Sequence, residues 1–229
     1  MPSPVEETYL ESIYNMAMED GRVRAVELAE KFRVSRPTVA QTLKRLVESG
    51  LIVQDRSSGV SLTDAGRTET EALLRRHRLA ERLMFDVLGM DFINAHEQAH
   101  SLEHWISPEV EERIQNLLGA PRTCPHGNPI PGNAPGGIEY LRSQNAIRLA
   151  SVKRGDRTEV VCISEVVEDE TALLRRLMDT GIVPGRVLEI EGAGGDGVEY
   201  SCGGKRYRLE KAVAEKIWVR NAEQQDQSS

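Results

Sequence analysis

Apolar residues in the first half of the chain recur at helical spacing. Tyr9, Leu10, Ile13, Tyr14 and Ala17 line one face of a helix over 6–19, which Asp20-Gly21 ends. A second, short helix covers Ala25–Phe32, and Arg33-Val34-Ser35 forms a tight turn. Ser35 suits the cap of a third helix, and Pro37 falls in its first turn, where no intrahelical N–H is lost. That helix runs to Ser49 and Gly50 closes it. Its Val39, Leu43, Leu46 and Val47 fall at i, i+4, i+7 and i+8 and form a buried stripe, which leaves Thr38, Gln41, Thr42 and Arg45 facing outward. Leu51–Gln54, a turn over Asp55–Gly59, and Val60–Leu62 make a small hairpin.

Further along, Thr68–Leu88 is amphipathic and helical texture continues to about residue 120. Residues 121–147 break it with Pro121, Pro125, Pro129, Pro131 and Pro135 and interspersed glycines, the texture of a linker or irregular loop. Short apolar or alternating runs follow at Thr158–Ile163 and Val187–Glu191, with hairpin turns at Gly192–Gly197 and Gly203-Gly204. The tail from Asn221 is polar. The expected organisation is a first domain over 1–66, a helical domain over 67–132, a linker over 133–149 and a small all-β domain over 150–220. The fold class is therefore mainly α with a small β domain.

Composition narrows the class. At about 100–200 residues per domain, 229 residues make two domains or three small ones. With 39% apolar and 28% charged residues the chain has material for a packed core. No apolar run reaches the roughly 18 residues of a membrane span, and the N-terminus lacks the pattern of a secretion signal. Cys124, Cys162 and Cys202 are odd in number and far apart, against a disulfide framework. The expectation is a cytoplasmic protein with no membrane partner.

Helix, tight turn, helix and hairpin is the order of a winged helix-turn-helix. The net charge of −7 excludes a uniformly basic nucleic-acid coat, yet residues 31–47 hold Lys31, Arg33, Arg36, Lys44 and Arg45 and no acid. Ser35, Arg36, Pro37, Thr38, Gln41, Thr42 and Arg45 are the candidate DNA-contacting residues. Gln and Arg side chains match base edges in the major groove. Arg56 at the hairpin tip is placed to touch the DNA backbone. One such helix reads only a few base pairs, so a homodimer on a double-stranded palindromic operator is expected.

Four of the five histidines lie between residues 77 and 104. His77 and Glu81 stand four apart, and His96, His100 and His104 repeat at four and four, with Glu103 beside them. Residues at i and i+4 share a helix face, so imidazoles and carboxylates converge there, a donor set suited to a first-row divalent metal. Isolated histidines on such helices are usually ordinary surface or core residues; the repeated stripe opposite a second His/Glu pair favours metal. Residues 96–100 also read His-Glu-Gln-Ala-His, which fits a zinc-hydrolase pattern with Glu97 as general base and His96 and His100 as ligands. The neighbouring DNA-reading module and the extra ligands at 103 and 104 rank that reading below a metal-responsive regulator. A metal-independent winged-helix regulator is the third reading.

The chain resembles the diphtheria-toxin-repressor family of iron- and manganese-dependent repressors. The matching stretches are Glu7–Tyr14, Ser35–Thr42, Arg76–Leu83, Glu103-His104 and the His-Gly-Asn-Pro-Ile-Pro-Gly of 126–132. Residues 150–220 are similar to the family's SH3-like (FeoA-like) barrel, chiefly through Leu177–Gly185. The resemblance implies a metal-activated, DNA-binding repressor that is not an enzyme, with metal binding and dimerisation assigned to 67–132 and two metal sites per subunit. The ancillary site would use His77, Glu81 and His96, with Glu170 from the barrel; a further barrel ligand of some members falls at Leu173. The primary site would use His100, Glu103 and His104. Thr8 stands at its helix-one position, and Glu11, one turn later, is the alternative ligand. His100 occupies a place held by cysteine in iron-type and glutamate in manganese-type members, and nitrogen and oxygen donors make the site harder, favouring Mn(II) over Fe(II). His126 is expected to be structural. Leu73, Leu74, Met84, Val87, Leu88, Ile114, Leu117 and Leu118 are candidates for the dimer surface.

Overall fold

The structure, a computed structural model, describes residues 2–55, 57, 59–165 and 171–222. The expected contacts at Arg56 and Glu170 lie outside the described residues. The chain divides into two compact units, residues 1–77 and 78–229.

In the first unit Ser3 caps α1 (Pro4–Asp20) through a reciprocal capping box with Glu6, and Gly21 ends it in the left-handed region. Helix α2 (Ala25–Phe32) stops at Arg33, itself left-handed at φ 52°. Ser35 then caps α3 (Arg36–Glu48), with Pro37 in its first turn. Strands β1 (Ile52–Asp55) and β2 (Gly59–Leu62) pair antiparallel, Ile52 opposite Leu62, and Val23 bridges to Val60 as a short third rung. Tyr9, Leu10, Ile13, Leu28, Val39, Leu43, Leu46, Ile52 and Val60 form one buried core, and Tyr9 stacks on Phe32 at 4.4 Å. At roughly 1.5–3 kcal/mol for each large apolar side chain, this core supplies most of the stability of the three helices. Helix α4 (Asp64–Arg82) follows.

Two expectations for α3 are corrected. Thr42 is buried at 4% exposure, whereas Val47 is 42% exposed. Thr42 tolerates burial because its hydroxyl donates back to the Thr38 carbonyl at 3.3 Å.

The second unit opens with the last turn of α4, which relaxes into a π-helical turn over Leu83–Val87. Asp91 caps α5 (Phe92–Leu102), a single 3₁₀ turn covers Glu103–Trp105, and Ser107 caps α6 (Pro108–Leu117). Residues 124–131, part of the proline-rich stretch read as a linker or irregular loop, are all buried. Helix α7 (Gly137–Ser143) occupies part of the expected linker; Tyr140 and Leu141 hold it against Val161 and Cys162. A six-stranded antiparallel sheet completes the unit, in the order β3-β8-β4-β5-β6-β7. Its strands are β3 (Ile147–Arg148), β4 (Arg157–Ile163), β5 (Val187–Gly194), β6 (Gly197–Cys202), β7 (Lys205–Glu210) and β8 (Ile217–Asn221). Helix α8 (Thr171–Asp179) and the one-turn α9 (Lys211–Ala214) pack onto it, burying Leu174, Leu177 and Ala214 with Val160, Leu188, Tyr200 and Val219. Ile93 of α5 joins that same core. No helix among the described residues is long and apolar enough to cross a membrane.

Candidate functional site

In the first unit, α3 presents Arg36, Pro37, Thr38, Gln41, Lys44 and Arg45 to solvent, with Ser35 exposed at its cap. Ser35 and Thr38 hydroxyls share a hydrogen bond of 2.8 Å. Arg45 is held from α1: its Nε donates to Glu6 Oε1 at 3.0 Å. Burial raises the Tyr9 hydroxyl pKa, while the nearby Thr42 hydroxyl and Arg45 act the other way. The spacing that marks α3 carries no sign of these α1 contacts, because they are set by helix packing. Glu11 is half-buried on α1, and the exposed Thr8 spends its hydroxyl on the Pro4 carbonyl at 2.9 Å.

In the second unit a buried group of donors gathers around Glu81. His96 Nδ1 lies 2.7 Å and His126 Nδ1 3.3 Å from the same carboxylate oxygen, Glu81 Oε1. The three residues are 1%, 8% and 0% exposed. Each offers a ligand atom, and these atoms lie within 4.8 Å of one another. Two imidazoles and a carboxylate, all buried, fit a divalent first-row ion. Cys124 Sγ stands 3.9 Å from His126 Nδ1. His126, expected to be structural, stands among these potential donor atoms.

The loop that delivers His126 is fixed from both sides. Arg82 of α4 donates to the Thr123 carbonyl at 2.7 Å and the Cys124 carbonyl at 3.2 Å, and Arg78 donates to the Pro129 carbonyl. From the sheet side, Ile163 N donates to the His126 carbonyl and Asn128 Nδ2 to the Ile163 carbonyl, each at 3.0 Å. Gly127, at φ +89°, lies so close to β4 that a Cβ would stand 2.1 Å from the Val161 carbonyl oxygen. Phe92 packs edge-on against the His126 ring at 4.4 Å.

A second group continues along α5. The His96 and His100 rings meet edge-to-face at 4.9 Å. Buried Glu103 lies 4.0 Å from His100 Nδ1 and 3.5 Å from His104 Nε2, both measured to Oε1, while the two histidines are nearly half exposed. His77 is buried on α4, one turn before Glu81. Leu173 packs against the sheet core, consistent with an apolar rather than a ligand role. Glu97, the general base of the hydrolase reading, is exposed and accepts a hydrogen bond from the Thr171 hydroxyl at 3.3 Å.

Of the dimer-surface candidates, Leu73, Leu74, Met84 and Ile114 are buried within the chain. Val87, Leu88 and Leu117 are exposed, together with Val110 and Trp105, the last at 84%.

A winged-helix reading head, a helical domain carrying clustered His and Glu donors, and a small antiparallel sheet define a metal-dependent DNA-binding regulator as the class. Three family models match in succession: the iron-dependent repressor N-terminal DNA-binding domain over residues 1–60, the iron-dependent repressor metal-binding and dimerisation domain over 63–132, and the FeoA domain over 147–221. The chain is 36% identical over 197 residues to the iron-dependent repressor IdeR of Mycobacterium tuberculosis, covering 84% of this chain and 86% of that one. It is 34% identical over 220 residues to the diphtheria toxin repressor of Corynebacterium diphtheriae, covering 93% and 95%. Among solved structures it matches the manganese regulator SloR with a TM-score of 0.79 at 27% identity, covering 96% of this chain and all of the other. The chain belongs to the iron-dependent repressor family, whose members include the diphtheria toxin repressor.

Proposed function

We propose that this repressor is activated by Mn(II), with Fe(II) as the alternative ion, and binds a palindromic operator as a homodimer. The observation that carries the metal reading is the buried convergence of Glu81, His96 and His126. Relatives named for iron and for manganese support a metal-sensing repressor. The hard donor set, with no thiolate among His100, Glu103 and His104, favours Mn(II).

Two sites per subunit are proposed. The ancillary site takes Glu81 and His96, with His77 and Glu170 as the family pattern implies and His126 added to them. The primary site takes His100, Glu103 and His104 of the second unit. A bound divalent ion supplies a charge that these imidazoles and carboxylates share. Glu103 is buried within 4.0 Å of both half-exposed histidines, and the DNA-competent state is favoured to the extent that it binds the ion more tightly. The exposed Val87, Leu88, Trp105, Val110 and Leu117 are assigned to the surface between subunits. The protein is read as a cytoplasmic regulator rather than an enzyme, in keeping with a Glu97 that is solvent-exposed and bonded to Thr171.

The deciding experiment measures metal content and duplex affinity on one preparation, using a duplex selected from a random library. It is run with EDTA, Mn(II) and Fe(II) in turn. Tight binding only with metal is expected; equal affinity with EDTA and with metal refutes the switch, and a chain that retains no metal favours a metal-independent regulator.

A further inference from the structure

We infer that Glu6 is a positioning residue for DNA reading: its carboxylate holds the Arg45 guanidinium so that the arginine addresses the edge of a guanine rather than any nearby phosphate. The inference rests on DNA binding by residues 1–60.

Glu6 has divided its two oxygens. Oε2 accepts from the Ser3 backbone N–H at 2.9 Å and the Ser3 hydroxyl at 3.0 Å. Oε1 accepts from Arg45 Nε at 3.0 Å. The capping box therefore fixes the carboxylate before Arg45 reaches it. The Glu6 side chain is only 18% exposed, that of Arg45 47%. The Ser3 N–H and hydroxyl, with Arg45 beside them, hold the Glu6 carboxyl below the usual range, so it stays charged at neutral pH. Arg45 Nη2 also approaches the Thr42 hydroxyl at 3.4 Å.

A carboxylate beside a reading helix is costly if affinity alone is the goal, because each cation facing phosphate contributes through counterion release. Its presence is accounted for by selectivity. A free arginine pairs with any phosphate along the groove. With Nε engaged, the guanidinium still offers its end-on pair of Nη groups, the fork that matches O6 and N7 of guanine. Glu6 thus trades general attraction for a fixed direction.

The test selects duplexes from a randomised library with the full-length chain in Mn(II), and measures affinity for the selected duplex and for bulk genomic DNA. In wild type one guanine per half-site is expected to be strongly preferred, and Arg45→Ala abolishes that preference. Glu6→Ala is expected to flatten the same position, to strengthen bulk binding, and to lower the selected-to-bulk ratio about tenfold, the low end of what one bidentate base contact discriminates. Glu6→Gln, which keeps the acceptor but not the charge, retains more of the preference. Ser3→Ala, which removes one of the two bonds to Oε2 and keeps the backbone one, lowers the ratio by less than Glu6→Ala does. In the Arg45→Ala background, Glu6→Ala has no further effect on selectivity. Equal gains in both affinities with an unchanged base preference reduce Glu6 to a charge and overturn the inference, as does a Ser3→Ala variant that reproduces Glu6→Ala. A wild type with no preference for any duplex overturns the DNA reading itself, and the role of Glu6 with it.

Discussion

Arg78 of α4 and Glu165, two residues beyond β4, form an ion pair with side chains only 4% and 12% exposed. Both charges have left water, so each depends on the other, and Arg78 also satisfies the Pro129 carbonyl. Removing Arg78 leaves the buried Glu165 carboxylate without this cation. Arg78→Ala is expected to destabilise the second unit by about 3–5 kcal/mol, and Arg78→Met with Glu165→Leu to recover most of that. Denaturant unfolding of the three proteins checks it. A loss below about 1 kcal/mol for the single variant, as for a surface pair, contradicts the buried assignment.

Gly127→Ala carries a different penalty. The methyl group would meet the Val161 carbonyl oxygen and the Cys162 backbone, and alanine disfavours φ +89°. The loop must then lift from β4, taking His126 away from Glu81. Lower thermal stability and weaker Mn(II) binding should appear together. A variant that loses stability but binds Mn(II) as wild type does would separate the loop from the metal.

The winged helix was legible because its signals are local: helical spacing, the Ser35 cap, Pro37 and the hairpin turn. The sheet domain was legible from alternation and paired glycines. What the pattern missed depends on partners distant in sequence. Thr42 and Val47 sit at opposite margins of the α3 stripe, and the side covered is the one where Thr42 meets Tyr9 of α1, a contact that helix spacing does not reveal. Helix α7 has seven residues and no side-chain cap, and tertiary contacts of Tyr140 and Leu141 hold it. His126 lies in a proline- and glycine-rich run that reads as a linker or irregular loop, and the backbone bond from Ile163 that ties it to β4 comes from a residue distant in sequence.

The Thr42 correction separates stability from reading. Thr42→Val removes a buried hydroxyl bonded to the Thr38 carbonyl and should cost about 1 kcal/mol of unfolding free energy. Gln41→Ala, exposed on the same helix, should leave stability unchanged and reduce discrimination at one base position by about 1–3 kcal/mol. Thermal melts and binding to matched and mismatched duplexes measure the two effects. Reversed outcomes would restore Thr42 to the reading face.

Asp91 gives a pH dependence whose sign is fixed. Its carboxylate caps α5 by accepting from Ile93 N at 3.1 Å and Asn94 N at 3.0 Å. The Asn94 backbone and side chain, then the Ile93 N–H and the nearby Arg175, hold its pKa below the ordinary 3.8. A depressed carboxylate stabilises the fold fully above its unfolded pKa and loses that contribution as pH falls through the folded value. Asp91→Ala should cost about 1 kcal/mol at pH 7, and the gap to wild type should narrow below pH 4. A gap that stays constant down to pH 2 would mean that the charge adds nothing to the cap.

His96 and His126 share one oxygen of Glu81, so removing either should weaken metal retention more than removing exposed Glu97, one residue from His96. Ligand binding to the folded state adds RT ln(1 + [L]/Kd), about 2.7 kcal/mol at a hundredfold excess over Kd. Wild type and Glu97→Ala should show a stabilisation of that order in saturating Mn(II), reversed by EDTA. His96→Ala and His126→Ala should show it reduced or absent, while His126→Ala, which opens a cavity beside Phe92, also melts lower without metal. The comparison within each variant, with and without metal, removes the structural loss from the reading. If His126→Ala keeps the full increment, His126 is a packing residue and Glu81 and His96 draw their remaining ligands from elsewhere.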